Sequence, residues 1–114
     1  MTRRVEFPET DLAGIVHFSN YFRFFESAEH DFFRVLGVPM HRGSNRDPGS
    51  DMTGFARYTA ACDYLAPLCY DEVFRVRVVV AKIGPKSIDY VGSIHLDDEA
   101  EDSKPRAIGR WDTD

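Results

Sequence analysis

Between Phe18 and Leu36 the apolar residues recur at helical spacing, with Phe18, Tyr21, Phe22, Phe25, Ala28, Phe32, Val35 and Leu36 on one face. The period predicts an amphipathic helix with Ser19 as N-cap and with Gly37 and Pro39 as its stop. Phe24 and Phe33 lie on opposite flanks of that face, so the stripe is wider than a helix resting on a surface requires. The helix is therefore expected to be enclosed by other elements. Further on the period drops to two. In "VFRVRVVVAKI", residues 73 to 83, Arg75 and Arg77 fall on one face and Phe74, Val76, Val78 and Val80 on the other. "GPK" turns the chain into Ser87 to Leu96, where Ile88, Tyr90, Ile94 and Leu96 share a face. These two runs predict a long antiparallel hairpin.

Weaker patterns fill in the remainder. Arg3 to Phe7 is β-compatible and is ended by Pro8 and "ETD"; Gly54 to Leu65 reads as a strand closed by Pro67. "PMHRGSNRDPGSD", residues 39 to 51, reads as a mobile loop, and "DDEAED", residues 97 to 102, as a solvated connection. "KPRAIGRWDTD" begins a last strand with no terminating signal inside it, so that strand is expected to be very short or incomplete. A strand, a buried helix and a series of antiparallel strands together describe one α+β domain over residues 1–114, an antiparallel sheet wrapped around a central helix. A chain of 114 residues covers such a helix more easily with a second subunit, which predicts a homodimer or a tetramer of dimers.

Composition narrows the chemistry. The net charge of −5 argues against a nucleic-acid surface, which needs clustered positive charge, but not against a small phosphorylated ligand on a local basic patch. "MTRRVEF" has no apolar segment behind its arginines, and no later stretch is long enough to span a bilayer, so a cytoplasmic protein without membrane contact is expected. Cys62 and Cys69 lack metal-ligand spacing and are too few for a disulfide framework; Cys62 reads as a small buried thiol. His30, His41 and His95 are scattered, and no metal is expected. A serine nucleophile elbow, a Walker loop and a dinucleotide glycine fingerprint are all missing.

The chemical candidate is Asp11, in "ETDLAGIVHFSN". As a cap it would accept backbone N–H bonds in the turn. As a catalyst it would face the free N–H groups at the helix start, near His17 and Phe18, whose partial positive charge can hold a developing oxyanion, with Gly14 allowing the tight turn between them. An acid opposite such donors suits acyl transfer. Residue types alone leave both readings open. His17 is either a proton-transfer group or a partly buried polar residue beside the turn.

The run "TDLAGIVHFSNYFRFFESAEHDFFRVLG" resembles the signature of the 4-hydroxybenzoyl-CoA thioesterase family, hotdog-fold acyl-CoA thioesterases. The resemblance rests on an acid, an Ala-Gly turn, an Asn-Tyr pair and a later Phe-Glu-x-Ala at fixed spacing, and with the strand-rich remainder it covers nearly the whole chain. It implies hydrolysis of an acyl-CoA thioester to a carboxylic acid and free CoA, with coenzyme A as part of the substrate and no separate cofactor. Asp11 takes the place of the catalytic acid, as nucleophile or general base. The Phe18 amide takes that of the carbonyl-polarising donor, after Gly14 and His17, with Asn20 and Glu26 in support. Glu9 departs from the family's usual Asp.

Coenzyme A phosphates call for local positive charge, and the candidates are Lys82 and Lys86 around "KIGPK", with Arg57 and Arg75 or Arg77 on the strands. Glu29 reads as an exposed glutamate on the helix flank. Two other activities fit the same pattern. One is a hotdog dehydratase or related lyase using His17 on an acyl thioester, and the other a non-catalytic acyl-CoA-binding subunit.

Overall fold

The computed structural model describes residues 1–37 and 56–113. Strand β1 (Thr2–Arg4) leads through a 3-10 turn (Phe7–Glu9) and a second one (Phe18–Asn20) into helix α1 (Tyr21–Val35). Strands β2 (Ala60–Tyr64), β3 (Val73–Ile83), β4 (Ile88–Leu96) and β5 (Ala107–Thr113) follow. All pairings are antiparallel, in the order β1-β3-β4-β5-β2. The predicted hairpin is present as β3 and β4, in register from Phe74 opposite Leu96 to Ile83 opposite Ile88, with an irregularity between Val80 and Lys82. The first strand is shorter than its pattern suggested, because Phe7 and Pro8 enter the 3-10 turn. The proposed loop at 39–51 and the start of the 54–65 run lie outside the described residues.

The helix stands where its period placed it and stops at Gly37, which has φ 75°. Its buried face is rotated from the expected one. Tyr21, Phe24, Phe25, Ala28, Glu29 and Phe33 are buried, whereas Phe18, Val35 and Leu36 are exposed. Phe24 and Phe33 are thus core residues rather than flanks. The opposite side, with Arg23, Glu26, Ser27, His30 and Arg34, is exposed, so the sheet curls over one face of the helix.

That face meets Phe74, Val76, Tyr90, Ile94, Ala107 and Trp111 on the inner side of the sheet. At the centre of the contact Gly92 and Gly109 oppose each other across β4 and β5. A Cβ on either would come within 2.6 Å or 2.5 Å of the Phe25 ring. Two adjacent glycines therefore make the hollow into which Phe25 packs.

Candidate active site

The chain enters the site through a tight turn. Asp11 N–H donates to the Ile15 carbonyl (2.9 Å), Gly14 N–H donates to the Asp11 carbonyl (3.0 Å), and Asp11 Oδ1 accepts from Ala13 N–H (2.8 Å). Gly14 has φ 78°, a left-handed conformation that other residues adopt only at a cost. The exit of the turn is fastened to a later segment: Val16 N–H donates to the Leu68 carbonyl (2.8 Å) and Tyr70 N–H to the Gly14 carbonyl (3.0 Å). Asp11 is exposed, and its Oδ2 has no hydrogen-bond partner among the described residues. The carboxylate is a turn cap through one oxygen and uncommitted through the other.

The helix start carries the donors. Ser19 is not the N-cap of α1; that position is Asn20, whose side chain makes no cap bond, and the 3-10 turn before it is capped by His17, whose Nδ1 accepts from Ser19 N–H (3.3 Å) and lies 2.8 Å from Ser19 Oγ. The imidazole reaches forward over the 3-10 turn, in which Ser19 lies two residues past the cap. Asn20 Nδ2 and His17 N–H both donate to the Glu9 carbonyl, each at 2.9 Å, which ties the helix start to the chain before Asp11. Asn20 thereby joins the turn to the chain before Asp11. Glu9 itself is structural, since its carboxylate accepts from Arg3 Nη2 (2.7 Å) and Glu6 N–H (2.8 Å). The Phe18 N–H, first in its 3-10 turn, meets no acceptor among the described residues.

Asp11, His17 and Phe18 line one open cleft of about 430 Å³ whose other walls include Tyr21, Tyr64 and Pro67. Tyr21 is buried; burial pushes its phenol above the ordinary value against the effect of a hydrogen bond with the Leu68 backbone. Tyr64 comes from β2, and its ring stands edge-on to Tyr21, 4.9 Å between centroids. The result is a concave, mostly apolar surface lined by an acid and by the residue that carries the unused amide. Such a surface can hold an apolar acyl group and place its carbonyl between an acid and a donor.

Other sequence candidates fall elsewhere. Lys82 and Lys86 are exposed near the β3–β4 turn. Tyr64 pairs with Ala107 at the start of β5, whereas the hairpin tip lies beside Thr113 at its end, so seven residues of strand, roughly 20 Å, separate tip and cleft within one chain. Arg57 does not present a free charge. Its Nη1 and Nη2 donate to the two oxygens of Glu29 at 2.9 Å and 2.7 Å, and Nη2 also reaches Glu26 at 3.3 Å. Glu26 lies on the exposed side of the helix, paired to Arg57, and is not among the cleft's lining residues. Glu29, expected at the surface, is 0% exposed and also accepts from Trp111 Nε1–H at 2.7 Å. Burial alone would pull the Arg57 guanidinium down, but its hydrogen bonds and charge pairing with Glu29 outweigh that and push it up. Arg75 spends its guanidinium on the carbonyls of Leu96, Asp97 and Glu99.

One wall of the cleft was missed. Tyr64 was read only as part of the strand that ends at Leu65. Arg106 donates from Nη1 to the Pro67 carbonyl (3.0 Å) and pairs with Glu99, but it is not among the cleft's lining residues. A period-two pattern marks a strand residue's face but not which loop it meets, so Tyr64 had no local signal.

Comparison with known proteins places this geometry. Residues 5–110 match the family model of the thioesterase-like superfamily. The chain belongs to that superfamily. It is 47% identical over 76 residues, 67% of this chain and 56% of the relative, to a protein of Aquifex aeolicus (strain VF5) that bears the name "Putative esterase". It is 29% identical over 87 residues to the 4-hydroxybenzoyl-CoA thioesterase of Pseudomonas sp. (strain CBS-3), covering 76% of this chain and 60% of the relative. These matches span less than two thirds of either curated relative. Among solved structures, a gentisyl-coenzyme A thioesterase superposes with a TM-score of 0.83 at 26% identity over 99% of this chain and 84% of its own. The hotdog architecture expected from the resemblance is the one observed: a five-stranded antiparallel sheet on one long helix. No helix among the described residues is long and apolar enough to cross a membrane.

Proposed function

We propose that this chain hydrolyses an acyl-CoA thioester to a carboxylic acid and free coenzyme A. The observation that carries the reading is that Asp11, with one uncommitted oxygen, and Phe18, whose amide is unused among the described residues, line one apolar cleft, in a chain whose superfamily includes named acyl-CoA thioesterases. In the base route Asp11 takes a proton from water, the hydroxide adds to the thioester carbonyl carbon, and the Phe18 N–H holds the oxyanion. Collapse breaks the C–S bond, and the thiolate receives the proton that Asp11 took. In the nucleophilic route the carboxylate adds first, coenzyme A leaves, and water cleaves the resulting anhydride. Both begin from the same oxygen.

The working unit is a homodimer or a tetramer of dimers. Strand β2 lies at the edge of the sheet, and Phe18, Tyr64 and Leu65 beside it are exposed, an arrangement that a second copy would cover. Lys82 and Lys86 remain candidates for coenzyme A phosphates only through such a second copy, given their distance from the cleft of their own chain. The protein acts without a separate cofactor or metal, since the reaction needs only the acid, the amide and water.

The test is release of free thiol from short-chain, long-chain and aromatic acyl-CoAs, comparing the parent with Asp11→Asn. Release by the parent that collapses in the variant supports the reading. No release from any thioester by a folded parent rules it out, and unaltered release by the variant removes Asp11 from the chemistry.

A further inference from the structure

Tyr64 is the cleft residue that touches the helix start most extensively from the sheet. Its hydroxyl donates to the Phe18 carbonyl at 3.3 Å, and its ring stands edge-on to Phe18 (centroids 6.4 Å, interplanar angle 80°) as well as to Tyr21. These contacts matter because Phe18 is 64% exposed, and although His17 N–H and Asn20 Nδ2 on either side of it are tied to the Glu9 carbonyl, its own carbonyl otherwise takes only the local bond from Tyr21 N–H. A 3-10 turn has poorer hydrogen-bond geometry than an α-helix, so a bond from outside it adds rigidity. An oxyanion donor is useful only to the extent that its direction is set before the reaction begins.

We infer that Tyr64 is a positioning residue, which restrains the Phe18 backbone by holding the carbonyl of the peptide group that follows it, and so limits the rotation that would swing the Phe18 N–H on the preceding peptide group; this rests on the thioesterase reading above. Strand β2 makes a firm base for the tether. Its five residues pair in register with β5, and the residues that lead into it are fastened by Asp112, whose Oδ1 accepts from Tyr58 N–H (2.8 Å) and Thr59 N–H (3.1 Å). The phenol remains a donor at neutral pH, since burial and the neighbouring Cys62 both push it up. At 3.3 Å the contact is longer than the usual O–H···O range of about 2.5–3.0 Å, so it is a loose tether in the unliganded protein that a bound substrate would have to tighten.

The hydroxyl and the ring have separable duties. Tyr64→Phe keeps the cleft wall and the ring contacts but releases the carbonyl, so it removes stabilisation felt in the transition state and leaves ground-state binding in place. The expected result is a fall in kcat of about ten-fold with KM within about two-fold of the parent. A purely structural role would not produce that split. An independent reading comes from the carbonyl stretch of a bound, ¹³C-labelled acyl-CoA in the Asp11→Asn background. The Phe18 N–H lowers that frequency, and adding Tyr64→Phe moves it back toward the free value.

A Tyr64→Phe enzyme with the parent's kcat overturns the inference, as does a raised KM at unchanged kcat, which would make Tyr64 only a wall. An unmoved carbonyl band overturns it as well. If the parent hydrolyses thioesters through Asp11 but is indifferent to Tyr64→Phe, this inference alone falls. If the parent hydrolyses none, the thioesterase reading falls and takes this one with it.

Discussion

Asp11 and Glu29 are both carboxylates close to the same helix, and their surroundings are opposite. Glu29 is fully buried, and both its oxygens are occupied, by the Arg57 fork and the Trp111 indole. Asp11 is exposed, with one oxygen closing its own turn and the other unpartnered among the described residues. A buried carboxylate is tolerable only when its charge is paired and its lone pairs are satisfied, and that saturation leaves it unable to react. An uncommitted carboxylate contributes little to holding the fold and leaves lone pairs open to a substrate. The helix thus has an uncommitted carboxylate near its start and a locked middle. The lock ties α1 to β5 and to the residues preceding β2.

The contrast predicts that substitutions at the two acids have complementary effects. The largest is expected at Asp11: Asn there should lower thiol release by about 10²- to 10⁴-fold while leaving the thermal midpoint almost unchanged. A variant that loses activity and melts early would mean that the turn cap matters more than the free oxygen. At Glu29 the pattern reverses. Glu29→Ala strands the Arg57 charge and the Trp111 N–H, and a loss of about 2–4 kcal/mol is expected in urea unfolding, somewhat below a fully buried pair because the Arg57 side chain is 28% exposed. Equal stability would show that Glu29 and Arg57 do not form the lock.

A smaller effect tests the apolar part of the locked region. Gly109→Ala puts a methyl group 2.5 Å from the Phe25 ring, and overpacking of this kind costs about 1–3 kcal/mol. The same unfolding experiment checks it, and activity per folded molecule should hardly change, because Phe25 is not among the residues lining the cleft.

The smallest effect is a pH dependence. Hydrogen bonds from the Thr59 and Tyr58 backbone hold the Asp112 carboxyl below its usual range. A group whose folded pKa is depressed contributes stability that is present above its unfolded pKa and is lost as pH falls through the folded value. Asp112→Asn should therefore flatten the acid side of a stability-versus-pH curve, below about pH 4, relative to the parent. A parallel acid limb in both proteins would mean that Asp112 is not a fastening for β2.

Periodicity found the elements whose pattern is local. The β3–β4 hairpin and the span of α1 came directly from the spacing of apolar residues, and the Gly14 turn from residue type. The buried face of α1 came out rotated, because Phe18, Val35 and Leu36 count as apolar at helical spacing wherever the sheet lies. In the structure the hollow over Gly92 and Gly109 centres the contact on Phe25. Glu29 was misread for a related reason. Its partners are 28 and 82 residues away, and nothing local distinguishes a glutamate with a half-buried arginine and an indole from one in water.

The sequence by itself determined a helix entered from a glycine turn with an acid in it, an antiparallel β remainder and, through one run of residues, a resemblance to a thioesterase family. These are short-range properties: turn geometry, period and order along the chain. Only the tertiary structure decided which acid stays uncommitted and which is locked, that Tyr64 from the sheet reaches the helix start, and that Arg57, Lys82 and Lys86 lie away from the cleft. Those outcomes depend on strand order and register, which bring β2 beside β5 rather than beside its neighbour in sequence. Pairings of that range leave no trace in any short window of residues.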